Sequence, residues 1–288
     1  MLVGLPVAQI VSSAILLTVA SQCARNMIQT VELRRQYDAS SLVPLGSKNN
    51  EISLLGAGSV GDRLRSMNRK ELLTVFANSR APTAEEVNEW FSSCGNDDDD
   101  TSKSKNESDI RYCEWDAMLL NNNGFFMSSV SSIITNGLFG GIFLPWRLVG
   151  APKRSSGRWN GKAFRPNRPT SSPSSSMGFG INRFAGKDDN GSVANFKRHA
   201  FDYDLKPSRV FPGTANRDSL CLDYSRYQSL PISLWSSMKD EMRVVRVEQN
   251  EEESSTHVVM VGMGWMEWSG GPLNCSPFLI EGNVLVKQ

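Results

Sequence analysis

Histidine is nearly missing from this chain. His199 and His257 are the only two among 288 residues, and an imidazole-based metal site would need both of them plus distant carboxylates. Cysteine is sparse and scattered: Cys23, Cys94, Cys113, Cys221 and Cys275 never stand at C-x-x-C spacing, so neither a zinc site nor a disulfide framework is signalled. Two readings stay open for them, buried free thiols or one bridge such as Cys94 to Cys113 in an oxidising compartment. Charge of one sign is lacking as well. With 31 Lys+Arg against 30 Asp+Glu the net charge is +1, which gives no basic field to draw in nucleic acid, and no nucleic-acid partner is expected. No G-x-S-x-G elbow surrounds Ser225, and no nucleophile or histidine accompanies the carboxylates Asp240 and Glu241 beside Arg243. No catalytic residue, metal ligand or cofactor is therefore assigned. What is present is 40% apolar content, enough for a packed core.

Charge is also absent from the N-terminus. Leu2 to Ala24 carries no charged side chain and is mostly apolar from Val7 to Ala20, a length that just spans a bilayer. The basic region that opens a signal peptide is missing, while Arg25, Arg34 and Arg35 follow the segment and favour an uncleaved anchor by the positive-inside tendency. Residues 1–24 are thus expected to be a hydrophobic anchor or signal segment lying outside the fold, followed by a linker over 25–68.

Gly56, Gly58 and Gly61 match G-x-G-x-x-G, the dinucleotide loop. That motif needs a following helix and a second strand, which Leu72 to Phe76 would have to supply, with Arg80 near a 2′-phosphate. A helix over Arg69 to Asn78 explains the residues better, because Leu72, Leu73 and Phe76 then share one face. Thr83 and Glu86 form a capping box for a second helix that buries Val87, Trp90 and Phe91. Residues 69–95 therefore read as a helical pair, and an NADP-dependent oxidoreductase is the weaker alternative.

The four consecutive aspartates Asp97 to Asp100 mark 96–110 as a solvated acidic insert. Between Ala117 and Trp146 no charged residue occurs, but Asn121 to Gly124 and Asn136-Gly137 are turn formers, so this is expected to be a buried or partly membrane-facing element of the domain. A Ser/Pro loop lies near 165–177.

From Trp159 onward the period changes to two. Phe201, Tyr203 and Leu205 alternate with polar residues, as do Leu220, Leu222 and Tyr224. Met242 to Val247 and Val258 to Trp268 continue the series, and Phe278 to Val286, split at Glu281-Gly282-Asn283, reads as a closing hairpin. Short strands with internal glycines and no amphipathic helices between them indicate an antiparallel meander or barrel.

Trp159-Asn160-Gly161-Lys162-Ala163-Phe164, Gly180-Ile181-Asn182, Leu222-Asp223-Tyr224-Ser225 and Asp240-Glu241-Met242-Arg243 together resemble a set of uncharacterised bacterial, fungal and algal proteins that are themselves similar to GXWXG-type and lipocalin-like (calycin-like) barrels. Glu114-Trp115-Asp116-Ala117 resembles the first strand of that family, with alanine where glycine is usual, so Trp159 would lie on the second strand. The resemblance implies a fold, mainly β with N-terminal helices, in which a lipocalin-like antiparallel barrel over 111–288 follows the helical pair and the N-terminal hydrophobic helix. It implies no activity.

On these grounds the expected function is a membrane-associated module, tethered through residues 2–24, that binds an apolar small molecule such as a lipid or pigment. Candidate lining or mouth residues are Trp159, Lys162, Phe164, Asn182, Tyr224, Arg243 and Trp265. A filled barrel with a structural or interaction role is the first alternative, and an enzyme acting on a lipid-like substrate the second.

Overall fold

The computed structural model describes residues 7–40, 60–92, 112–120, 158–166, 176–185, 200–212, 218–225, 237–250 and 254–285. Eight strands form one closed antiparallel barrel in simple chain order. They are β1 (Cys113–Leu119), β2 (Arg158–Pro166), β3 (Gly178–Ala185), β4 (Ala200–Pro207), β5 (Asp218–Asp223), β6 (Met238–Asn250), β7 (Ser255–Met266) and β8 (Ser276–Leu285). Each pairs with the next, and β8 returns to β1 with Ala117 opposite Ile280. Closure leaves no unpaired sheet edge.

Alternation assigns the two faces. Trp115, Phe164, Phe201, Tyr203, Leu222, Tyr224, Met242, Met260, Phe278 and Ile280 make one buried cluster inside the barrel. An eight-stranded barrel is just wide enough to be filled in this way, and glycines on facing strands admit the rings. At Gly282 an added Cβ would lie 2.5 Å from the Trp115 ring. This glycine lies within β8, which runs unbroken from Ser276 to Leu285, so the hairpin expected at 281–283 is not formed. The early strand at Glu114 is real, and Trp159 does lie on the second strand.

The outer face of β7 and β8 is covered too. Val259, Val261, Met263, Trp265 and Leu279 pack with Leu33, Leu64, Leu72, Leu73 and Phe76 in a second cluster, contributed by α1 (Val7–Ser40), α2 (Val60–Ser66) and α3 (Arg69–Asn78). The buried Arg69 side chain ties the helices to the β7–β8 connection, donating to the carbonyl oxygens of Cys275 and Asn26 and to Thr30 Oγ1. The fourth helix, α4 (Ala84–Ser92), starts at the expected capping box, Glu86 N–H donating to Thr83 Oγ1 and Thr83 N–H to Glu86 Oε2. It closes one end of the barrel: Val87, Trp90 and Phe91 join the inner cluster, and Phe91 stacks on Phe164 at 4.1 Å.

Two expectations are corrected here. Residues 25–68 are no plain linker: α1 continues without a break from Val7 to Ser40 and docks through its second half, where Thr30 Oγ1 donates to Leu273 O and Arg34 to Val210 O, and α2 follows at Val60. Leu72 to Phe76, which a dinucleotide fold needs as a strand, is helical in α3, so that fold is not formed there. Gly56 and Gly58, the acidic insert, residues 121–157 and the core of the Ser/Pro loop lie outside the described residues. Among those described, no helix is long and apolar enough to cross a membrane.

Candidate site inside the barrel

Strand β2 carries a bulge, its register shifting between Trp159 and Gly161 against β3. Residues three apart on a regular strand face opposite ways; the extra residue turns both Trp159 and Lys162 inward. Opposite them, Asn182 on β3, Tyr224 just past β5 and Asp240 on β6 point into the same space, and all four polar residues are buried, with Lys162 only 1% exposed.

The Lys162 ammonium uses its three donors on Asn182 Oδ1 at 2.8 Å, Tyr224 OH at 2.7 Å and Asp240 Oδ2 at 2.7 Å. Tyr224 OH donates in turn to Asp240 Oδ2 at 2.8 Å, and Trp159 Nε1–H donates to Asn182 Oδ1 at 3.2 Å. Four rings enclose the ammonium: Phe201 at 5.0 Å, and Trp159, Tyr224 and Phe278 each at 5.4 Å. A desolvated cation gains about 2 kcal/mol or more from such faces.

Burial is the largest influence on both titrating partners. It holds the Lys162 ammonium below the ordinary lysine value, outweighing the upward pull of Asp240. It also pushes the Tyr224 phenol well above its ordinary value, and the neighbouring Asp240 adds to that. The pair is charge-balanced within the lumen. A second, unpaired anion brought there would carry the full cost of burying a charge.

The cluster is off-centre. The α4 end is packed by Phe91, Phe164, Trp115 and Tyr203, whereas Lys162 sits toward the end from which the β1–β2, β3–β4 and β5–β6 connections leave. These connections lie largely outside the described residues.

No family model, curated protein or solved structure matches the chain. The site is therefore read from its own geometry.

Of the seven residues singled out from the sequence, five lie together inside the barrel: Trp159, Lys162, Phe164, Asn182 and Tyr224. Phe164 belongs to the packed α4 end, and the other four to the polar cluster. Arg243 and Trp265 lie on the outer face instead and line no part of the lumen. Arg243 Nη1 donates to Phe76 O at 3.3 Å, its Nε donates to Ser219 Oγ at 3.0 Å, and its guanidinium lies 4.8 Å from the Phe76 ring. Its role is to cap the C-terminus of α3. Trp265 packs in the outer cluster under Arg209.

Asp240 was the residue missed. It stands beside Glu241 and Arg243 in one charged run with no nucleophile or histidine, which gave no reason to single it out, yet all three are at most 2% exposed. Strand parity separates them, sending Asp240 inward and Glu241 outward, where Glu241 accepts from Ser208 OH and the Arg209 backbone N–H. Burial raises the Glu241 carboxyl above its ordinary value, against those hydrogen bonds and the nearby Arg243 charge.

Cys113 on β1 is disulfide-bonded, whereas Cys23, Cys221 and Cys275 are free. Cys94, the partner considered from the sequence, lies outside the described residues. Among the described residues no group of three or more His, Cys, Asp or Glu is placed to hold a metal ion.

Proposed function

We propose that this barrel is a binding module for one small apolar molecule, admitted at the end opposite α4 and met at its inner limit by the polar atoms of Lys162, Asn182 and Tyr224. The observation that carries this reading is the buried charged pair in an otherwise apolar lumen. Replacing such a pair by hydrophobic side chains of similar volume is often neutral or stabilising, so packing alone gives no reason for Lys162 and Asp240 to be there. A ligand that needs orienting does. Small-molecule sites have this makeup, apolar walls and a few placed polar groups.

Native mass spectrometry of the full chain with 1-decanol tests it. A one-to-one complex that weakens in Trp159→Ala is expected, and absence of any complex at saturating alcohol refutes the reading. The filled-barrel alternative has its own support in the Phe91–Phe164 stack at the α4 end and in the buried Phe201, Tyr224 and Phe278 rings around Lys162.

The first half of α1 supports attachment to a lipid surface. Leu16 and Leu17 are 69% and 71% exposed in a stretch without charge, while the second half is fixed to the barrel. Co-sedimentation with neutral vesicles that Leu16→Ser/Leu17→Ser abolishes is the expected result; binding unchanged in that variant refutes it. The Cys113 bridge supports an oxidising compartment, where disulfides persist.

A further inference from the structure

We infer that Lys162 is a covalent docking point, forming a reversible Schiff base with a ligand that carries an aldehyde or ketone. The inference rests on the binding reading above and names the chemical class of its ligand.

A lysine becomes a carbonyl nucleophile when an apolar pocket desolvates it and a nearby group manages its proton. Both conditions are met. The side chain is 1% exposed inside four aromatic rings, and Asp240 Oδ2 stands 2.7 Å from Nζ. Charge balance selects among ligand heads. A carboxylate would add an uncompensated negative charge to a neutral pair, whereas a carbonyl brings none.

The step conserves charge and atoms. Asp240 takes one ammonium proton, the free amine attacks the carbonyl carbon, and the same proton passes to the carbonyl oxygen to give a carbinolamine. Loss of that oxygen as water, carrying two hydrogens that began on nitrogen, leaves a C=N bond whose nitrogen keeps one hydrogen and the positive charge. No oxidant or reductant is involved. The iminium then occupies the place of the ammonium, with the Asp240 carboxylate as counter-ion and the ring faces around it, so the surroundings that hold Lys162 in the free protein also hold the product. Tyr224 OH, which bonds both Lys162 Nζ and Asp240 Oδ2, positions the pair. Trp159 and Phe278 stand near the strand ends on the side away from α4.

The test treats the full-length protein with decanal and sodium cyanoborohydride, which reduces the iminium to a stable secondary amine, and locates the decyl group by peptide mapping. 1-Decanol, which has the same chain and no carbonyl, reports binding alone. The expected result is alcohol binding together with decyl transfer to Lys162 at about a hundred-fold the rate of any other lysine, the size of a typical positioned acid–base contribution. In Tyr224→Phe, with folding verified by near-UV circular dichroism, labelling at Lys162 slows by at least about ten-fold while labelling of surface lysines is unchanged. Alcohol binding with Lys162 unlabelled, or labelled no faster than surface lysines, overturns the covalent inference and leaves the binding module standing. Failure to bind the alcohol overturns the module itself.

Discussion

Replacing Lys162 by methionine isolates what the interior pair does. Methionine keeps the length and apolar stem of the side chain but removes the ammonium. Asp240 Oδ2 would then retain only the Tyr224 OH contact at 2.8 Å, in a site 2% exposed. Breaking a buried pair by removing one partner costs about 3–5 kcal/mol, because the remaining charge is uncompensated. At roughly 2–4 °C per kcal/mol for a chain of this size class, the melting temperature should fall by roughly 6–20 °C. Asp240→Asn on top of Lys162→Met removes the stranded charge while keeping its shape, so the double variant should recover to within about 1.5 kcal/mol of wild type.

Urea unfolding followed by tryptophan fluorescence measures both variants. A cost below about 1 kcal/mol for the single variant, or a double variant as unstable as the sum of its parts, would refute the buried-pair account.

Four further outcomes follow from other parts of the molecule. Phe91→Ala empties the plug stacked on Phe164 and should cost about 3–5 kcal/mol in urea unfolding; a loss under 1 kcal/mol would mean that α4 does not close the barrel. Gly282→Ala drives a methyl to 2.5 Å from the Trp115 ring and should cost about 1–3 kcal/mol by thermal melting, whereas an unchanged melting temperature would contradict that packing. Glu241 has a raised carboxyl pKa, so its contribution is present below the ordinary carboxylate range and is lost as pH rises through the raised value. The stability of wild type relative to Glu241→Gln should accordingly fall as pH is raised from acid toward neutral, and a difference that grows over that interval would reverse the assignment. Reducing the Cys113 bridge should lower stability by about 2–4 kcal/mol, read as a melting shift between samples with and without a phosphine reductant; identical melting curves would show that the bridge does not constrain the fold.

The strands were legible because half-buried strands announce themselves by period two, and the Thr83–Glu86 cap because it is a local device. The continuity of α1 was not. Its second half docks through Leu33 and a set of polar atoms, Asn26 to Asn274 at 3.0 Å and Arg34 to Val210 O at 2.6 Å, and so few apolar contacts write no apolar stripe into the sequence. Face assignment on β7 was half legible. Alternation groups Val259, Val261, Met263 and Trp265 correctly, but both faces of this strand are covered, the inner by rings and the outer by α1 and α3. Hydrophobicity therefore cannot tell inside from outside, and Trp265 looked like lumen when it is the outer layer. Gly282 misled in the same way. Its missing side chain reads as a turn, whereas its use is to let Trp115 lie against the backbone of β8.

The site itself depends on two features that act together. Parity on β6 sends Asp240 inward while Glu241 and Arg243 go outward, which divides one charged tripeptide pattern between a lumen and a helix cap. The bulge on β2 cancels parity at the one place where it would separate Trp159 from Lys162. With a regular β2, a lysine facing Asp240 would turn Trp159 out of the barrel, and the ammonium would lose the ring at 5.4 Å and the indole N–H that fixes Asn182 Oδ1. The extra residue opposite β3 thus does more than bend the strand. It brings the indole, the amide and the ammonium onto one face, and only that combination surrounds the interior pair with both ring faces and hydrogen-bond partners.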